Sequence, residues 1–393
     1  MSEPRVVSDA ERRARLGRRH ALAESVDGVL EAAESVVCLH ATEPASVYLS
    51  ARARGGATRD DVSRALYDDR SVVRQLAMRR TVFAFPADLL PAVRGSAAAR
   101  VAAQQVDRLG KEVQAAGHAR DGQAWVRETC AEVLAAIRDE PATTVQLRGR
   151  IPTLDLRVGA DSGAKWGGPS PVAPRVLTVL AADGSVVRGE NAGGWKTSRP
   201  VWTAVEDWLA APPRPLPEAE GYAALVAAWL LRFGPGTEDD VVWWLGATKA
   251  AVRRALADVG AVTVHLGDGT PAYLHPDDVA PVTDPGPWAA LLPGLDPSTM
   301  GWKERAFYLG PHREQVFDRN GNGGATAWWR GRIVGCWTQR DDGSVVLLPL
   351  EDLSARASAA LEREARRLTQ WLDGEVVRSV YTAPAVRAAQ REG

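Results

Sequence analysis

His40 and Thr42, two residues apart in the run Leu39-His-Ala-Thr-Glu-Pro44, are the groups in this sequence best spaced to work on a water molecule. Alternate residues of an extended backbone point to one side. A histidine placed there can take a proton from water or stabilise developing charge, and a threonine can orient the attacking oxygen. The same run also reads as a helix entry, with Thr42 or Glu43 capping the amides of a helix that starts near Ala45. Phosphate-cradle, zincin, kinase and nucleophile-elbow patterns are absent from the chain, which sets aside nucleotide hydrolysis and acyl transfer. Cys38, Cys130 and Cys336 are too far apart for a disulfide framework or a metal knuckle, and the six histidines lack ligand spacing. No metal and no cofactor are expected.

A second set of residues suits a polyanion. The formal net charge is −1, but the charge is segregated. Residues 71–120 carry eight Arg or Lys against three Asp or Glu, 141–200 eight against four, and 301–340 seven against three, whereas 201–300 carry five against thirteen. Such segregation fits one basic face on a neutral molecule and equally fits solvated surface. Arg79 and Arg80 fall between two short apolar runs, at the tip of a candidate hairpin. Lys165-Trp166 and Trp195-Lys196 each lie in a glycine-rich loop where an aromatic ring can wedge against a nucleic acid. Lys303 and Arg319 sit in turn-forming segments that read either as phosphate contacts or as loop structure, with Asp318 and Asn320 bonding the local backbone.

The elements that must position these groups are legible in part. Residues 219–275 predict three helices and a hairpin. Gly234-Pro235 stops the first helix, Thr237 with Asp240 starts the second, Thr248 caps the third, and Gly267-Asp-Gly269 turns the hairpin. That order is the grammar of a winged helix, whose third helix, carrying Lys249 and Arg253, would enter a major groove. The same order recurs less clearly within 1–118 and 119–210. From Trp288 the texture becomes short alternating strands, read as a small β-barrel, and a terminal helix follows at 355–373. The expected class is therefore α+β, with winged-helix units at 1–118, 119–210 and 219–277 and a barrel with its helix at 286–376. With 45% apolar and 25% charged residues, no long apolar span and no secretory signal, a cytoplasmic protein is expected.

These residues resemble the AlkZ/YcaQ-like DNA glycosylases. The likeness is carried by Leu39-His-Ala-Thr-Glu-Pro44 with Val47-Tyr-Leu-Ser50, by Met78-Arg-Arg-Thr81, and by Phe233-Gly-Pro235 with Trp243-Trp244 and Thr248–Ala255. Leu292-Pro-Gly-Leu-Asp-Pro297 and Phe317-Asp-Arg-Asn-Gly321 complete it. The resemblance implies tandem winged helices in a C shape with a terminal barrel. It also implies excision of bulky N-alkylated purines or crosslinks from double-stranded DNA by a monomer, without metal or redox cofactor. His40 and Thr42 would be the catalytic pair, and Arg79, Arg80, Lys165, Lys196, Lys303 and Arg319 the phosphate contacts. The chain departs from the family pattern at His40-Ala41-Thr42, where the best-known members carry Gln-x-Gln or Gln-x-Asp. Histidine still suits water activation near neutral pH; threonine is the weaker replacement. A non-catalytic regulator or lesion sensor is the alternative that this departure favours.

Overall fold

Thr237 and Asp240 form the capping box that their spacing predicts: the Asp240 amide donates to the Thr237 hydroxyl at 3.1 Å and the Thr237 amide donates to the Asp240 carboxylate at 2.9 Å. The helices Glu218–Phe233, Glu238–Leu245 and Lys249–Asp258 and the hairpin Val262–Leu266 with Pro271–Leu274 follow in the expected order. Strand Val6–Val7 adds to this hairpin in parallel, pairing with His265 and Leu266. Asp240, fully buried, has a second task, because its other oxygen accepts the Lys303 and Glu304 amides at 2.8 and 2.9 Å.

The computed structural model describes residues 5–159 and 168–392. The chain is mixed α+β and divides into two units, one of residues 1–72, 84–86 and 222–393, the other of 73–83 and 87–221. The hairpin Val72–Ala77 and Thr81–Pro86 carries the chain from the first unit to the second and back.

In the second unit, helices Ala97–Ala115 and Gly122–Asp139 pack so closely that a Cβ on Gly122 would stand 2.0 Å from the Gly110 carbonyl oxygen. Thr143 and Gln146 box the start of Thr144–Arg150, and Ala173–Ala182 is followed by strands Val186–Asn191 and Pro200–Ala204. Val133, Ile137, Leu147, Leu177 and Trp202 are among its buried side chains.

The first unit ends in an antiparallel sheet ordered Ala289–Leu292, Thr326–Trp329, Arg332–Gln339, Val345–Pro349. The expected barrel does not close among the described residues. Its first and last strands remain edges, and helix Ala355–Leu372 packs over the sheet and buries Leu361, Leu368 and Leu372, which removes the need for closure. An aromatic cluster of Trp229, Phe233, Trp302, Phe307, Tyr308 and Trp328 forms the heart of this unit. Trp302 is thereby a core residue, its indole N–H donating to the Phe233 carbonyl at 3.0 Å. No described helix is long and apolar enough to cross a membrane, and no group of three or more potential metal ligands occurs among the described residues.

Candidate functional site

His40 ends the two-residue strand Leu39–His40, and helix Pro44–Gly55 begins shortly after it. Proline at the first helical position, with its fixed φ and no amide proton, favours a helix start there. His40 is 7% exposed, while Thr42 and Glu43 are half-buried. The Thr42 amide donates to His40 Nδ1 at 3.4 Å, a long bond that folds the ring back over the link. Neither Thr42 nor Glu43 caps the helix: the N-cap residue is Glu43, and its side chain takes no bond from the first-turn amides. The helix-cap reading of this segment is therefore not what the fold uses.

The far half of the helix is locked by a buried ionic cluster that the sequence reading missed. Arg54 and Asp296 have fully buried side chains and form a two-pronged pair, with N–O distances of 2.9 and 2.7 Å. Ser50 donates to Asp296 at 2.6 Å, Arg54 also donates to the Ser298 hydroxyl at 2.8 Å, and the Ser298 amide donates to Asp296 at 2.9 Å. Burial pushes the Asp296 carboxyl up, but the charge and hydrogen bonds of Arg54, with those of Ser50 and Ser298, outweigh it and hold the acid below its usual range. The signal available in sequence was the spacing of Ser50 and Arg54 on one helix face and the Asp296-Pro297 pair.

His20 closes the cluster from the other side. Its Nδ1 meets the Ser298 hydroxyl at 2.8 Å and its Nε2 the Arg232 carbonyl at 3.1 Å. Burial first, then the neighbouring Arg54 charge, lowers its pKa from 6.5 to about 3. A histidine kept neutral in the fold but free to charge when unfolded makes the unfolded chain bind the extra proton between those values, so stability falls as pH drops from about 6.5 toward 3. The slope from this one group is about 1.4 kcal/mol per pH unit inside that window. Urea unfolding of His20→Gln, which does not titrate, is expected to show a shallower loss on acidification; an unchanged slope would remove His20 as its source.

The candidate DNA contacts fall into three groups. Arg79 and Arg80 are exposed at the hairpin tip in the second unit, both at positive φ (54° and 59°), the geometry of a type I′ turn that ordinarily takes Asn-Gly. Arg74 ties this hairpin to the carbonyls of Arg188 and Gly189, and burial together with the like charges of Arg108 and Arg80 depresses the Arg175 pKa. Trp195, half-buried, and Lys196, exposed, occupy the connection between strands Val186–Asn191 and Pro200–Ala204 of the same unit. Arg319 is exposed on a turn of the first unit, where Asp318 accepts the Asn320 and Asn322 amides at 2.8 and 2.9 Å. Lys165 and Trp166 lie outside the described residues.

Three further basic side chains meet carboxylates. Lys303 meets Asp239 at 3.3 Å, Lys249 meets Asp239 at 2.8 Å, and Arg253 meets Glu238 at 2.7 Å. The third helix of the 219–277 region, the expected groove reader, thus has its basic face matched by the acidic start of the helix before it.

The family model for AlkZ-like DNA glycosylases matches residues 33–371. The chain belongs to the AlkZ-like DNA glycosylase family. His40, Thr42, Arg54, Asp296 and the Arg79-Arg80 tip all lie within the matched span of this AlkZ-like chain. Among solved structures it is similar to the DNA glycosylase AlkZ of Streptomyces sahachiroi, with 21% identity and a TM-score of 0.72 over 95% of this chain and 98% of that one. That likeness establishes the AlkZ-like fold. A comparison with curated protein sequences gives no match.

Proposed function

We propose that this chain is a DNA glycosylase that hydrolyses the N-glycosidic bond of bulky N-alkylated purines in double-stranded DNA. The observation that carries the reading is the family match over residues 33–371, which takes in His40 and the Thr42 amide set against its ring. A ring whose Nδ1 accepts an amide proton is neutral and holds its own proton on Nε2. In this tautomer, assigned from the contact, His40 acts as a hydrogen-bond donor. Alkylation at N7 makes a purine cationic and its glycosidic bond labile. The base then leaves with the C1′–N9 electron pair as a neutral purine, helped by a hydrogen-bond donor at its ring nitrogens, while a positioned water adds to the oxocarbenium-like sugar and gives up its proton to solvent. His40 supplies the donor and Thr42 orients the water, and the route requires no metal.

The helix and hairpin runs at 1–118, 119–210 and 219–277 are read as winged helices, with the open sheet and its helix at 286–376. The protein acts as a monomer in the cytoplasm. Phosphates are assigned to Arg79, Arg80, Lys196 and Arg319, joined by Lys165 and, against its ion pair with Asp239, by Lys303; Trp195 and Trp166 are the candidate wedges. The low exposure of His40 favours a second reading, a lesion sensor that binds without cutting. Equilibrium binding and abasic product, measured together on an N7-alkylguanine duplex and its undamaged twin, separate the two. Abasic product from the adducted duplex supports the glycosylase, adduct-selective binding without product supports the sensor, and binding that ignores salt removes both.

The turn at Arg79-Arg80 gives a prediction of opposite signs. The double substitution Arg79→Asn with Arg80→Gly, which installs the residue types this turn ordinarily takes, is expected to stabilise the protein by about 1 kcal/mol or more, because two bulky residues leave the left-handed region. The same double substitution removes two phosphate contacts, each worth about 8-fold in affinity at 0.1 M salt, so duplex binding falls by about 60-fold. Thermal unfolding and a salt titration check the two halves. A stability gain with unchanged DNA affinity would remove the tip from the interface.

A further inference from the structure

The carboxy-terminal segment 375–386 lies beyond the family match, which ends at residue 371, yet it is held at several places in the first unit, the Arg378–Asp341 pair among them. Gln339 accepts the Val377 amide at 2.9 Å and donates to the Glu375 carbonyl at 3.0 Å. Gly324 makes room for Ala383, since a Cβ there would stand 2.4 Å from the Ala383 nitrogen. Another hold is Glu43. Its Oε2 accepts the Ser379 hydroxyl at 2.6 Å, and its Oε1 accepts the Val380 amide at 2.6 Å. Ser379 is aligned for this by the Tyr381 amide, which donates to its oxygen at 3.0 Å.

Glu43 occupies the position from which a side chain ordinarily caps a helix, and it caps nothing. Both oxygens bond a segment more than 330 residues further along the chain. The link Ala41–Glu43 belongs to neither strand nor helix. Its path is set by the strand at one end, the helix at the other, and this carboxylate. Beside the joint lies a cavity of about 160 Å³, lined by Glu43, Ser46, Trp337, Gln339, Tyr381 and Val386, so the link has room to shift when the hold is released.

We propose that Glu43 is a positioning residue, clasped by the carboxy-terminal segment so that the link carrying His40 and Thr42 keeps one geometry. The proposal rests on the roles given to His40 and Thr42 above. Glu43 does not touch the substrate; it acts through the link, and the tail beyond the family match becomes part of what holds the reacting groups in place.

The test uses the full-length protein as wild type, Glu43→Ala, Glu43→Gln and Ser379→Ala. Hydrogen exchange is followed in peptides covering 39–46 and 375–386, alongside duplex affinity and single-turnover base release. In Glu43→Ala both peptides are expected to lose protection together. Base release slows by about 100-fold, the effect of a displacement near 1 Å, while affinity for the adducted duplex holds. Glu43→Gln, which keeps an accepting oxygen, restores most of the protection and rate. Ser379→Ala, the milder change, loosens both peptides partway and decides the matter should Glu43→Ala fail to fold. Loosening of 375–386 with 39–46 still protected overturns the proposal, as does unchanged exchange in every variant. Absence of base release from the wild type would refute the glycosylase reading, and the exchange result would still decide the clasp.

Discussion

Asp296→Ala is expected to destabilise the first unit by about 3–5 kcal/mol, because it leaves the Arg54 guanidinium buried without a counter-charge. The Arg54 side chain is 0% exposed, so water cannot replace the lost carboxylate without opening the helix Pro44–Gly55. The Ser50 hydroxyl and the Ser298 amide lose their acceptor in the same step. Against total stabilities of about 5–15 kcal/mol this is a large fraction. Arg54→Met should cost a comparable amount by stranding Asp296. The double change Arg54→Met with Asp296→Leu should cost less than the sum of the two single changes, because a buried ion pair is expensive to break and cheap to replace. Denaturant unfolding of the four proteins checks this, and strictly additive losses would show that the pair is not a coupled unit.

The second large effect is on chemistry. His40→Ala is expected to lower single-turnover base release by about 10²- to 10⁴-fold, the range for removal of a positioned proton donor or acceptor. Duplex affinity should hold, because the assigned phosphate contacts lie elsewhere in the chain. Thr42→Val should give a smaller loss, since water orientation is one part of the barrier. His40→Gln is the informative control. An amide can donate to the departing base as the imidazole does, so this variant should recover much of the rate if His40 donates, and little if His40 must take a proton.

Much of the architecture was readable because its signals are local. The Thr237–Asp240 box, the Thr248 cap and the Gly267-Asp-Gly269 turn each act within a few residues, and each element begins or turns where those residues stand. Helix Asp9–Arg19 escaped that reading because its buried face carries Arg12 and Arg15 where a greasy stripe is expected. Arg12 lies over the Phe307 ring at 3.7 Å and Arg15 bonds Glu11 and Asp278, partners that a helix pattern does not reveal. Helix Ala97–Ala115 was missed because alanine and glycine form much of its packed face, and its close approach at Gly110 depends on Gly122 in the next helix. The alternating runs after Trp288 specify strands, but whether a meander closes depends on its two edges meeting, and here a helix covers the sheet instead.

The site was legible only as a segment. His40 and Thr42 could be picked out by type and spacing, whereas the groups that hold their helix come from distant stretches of the chain, Arg54 from Asp296 and Glu43 from Ser379. A pairing across such separations leaves no mark on neighbouring residues. The pairing of charges is hidden in the same way: Lys249, Arg253 and Lys303 each meet Glu238 or Asp239 in the fold.

Glycosylase action is tested most directly by one labelled duplex holding a single bulky N7-alkylguanine, incubated with excess unmodified protein, with free base and abasic sites counted on the same sample. The expected result is one free alkylpurine and one abasic site for each lesion consumed. Duplex that is fully bound and entirely intact after the protein-free control has been matched would contradict it.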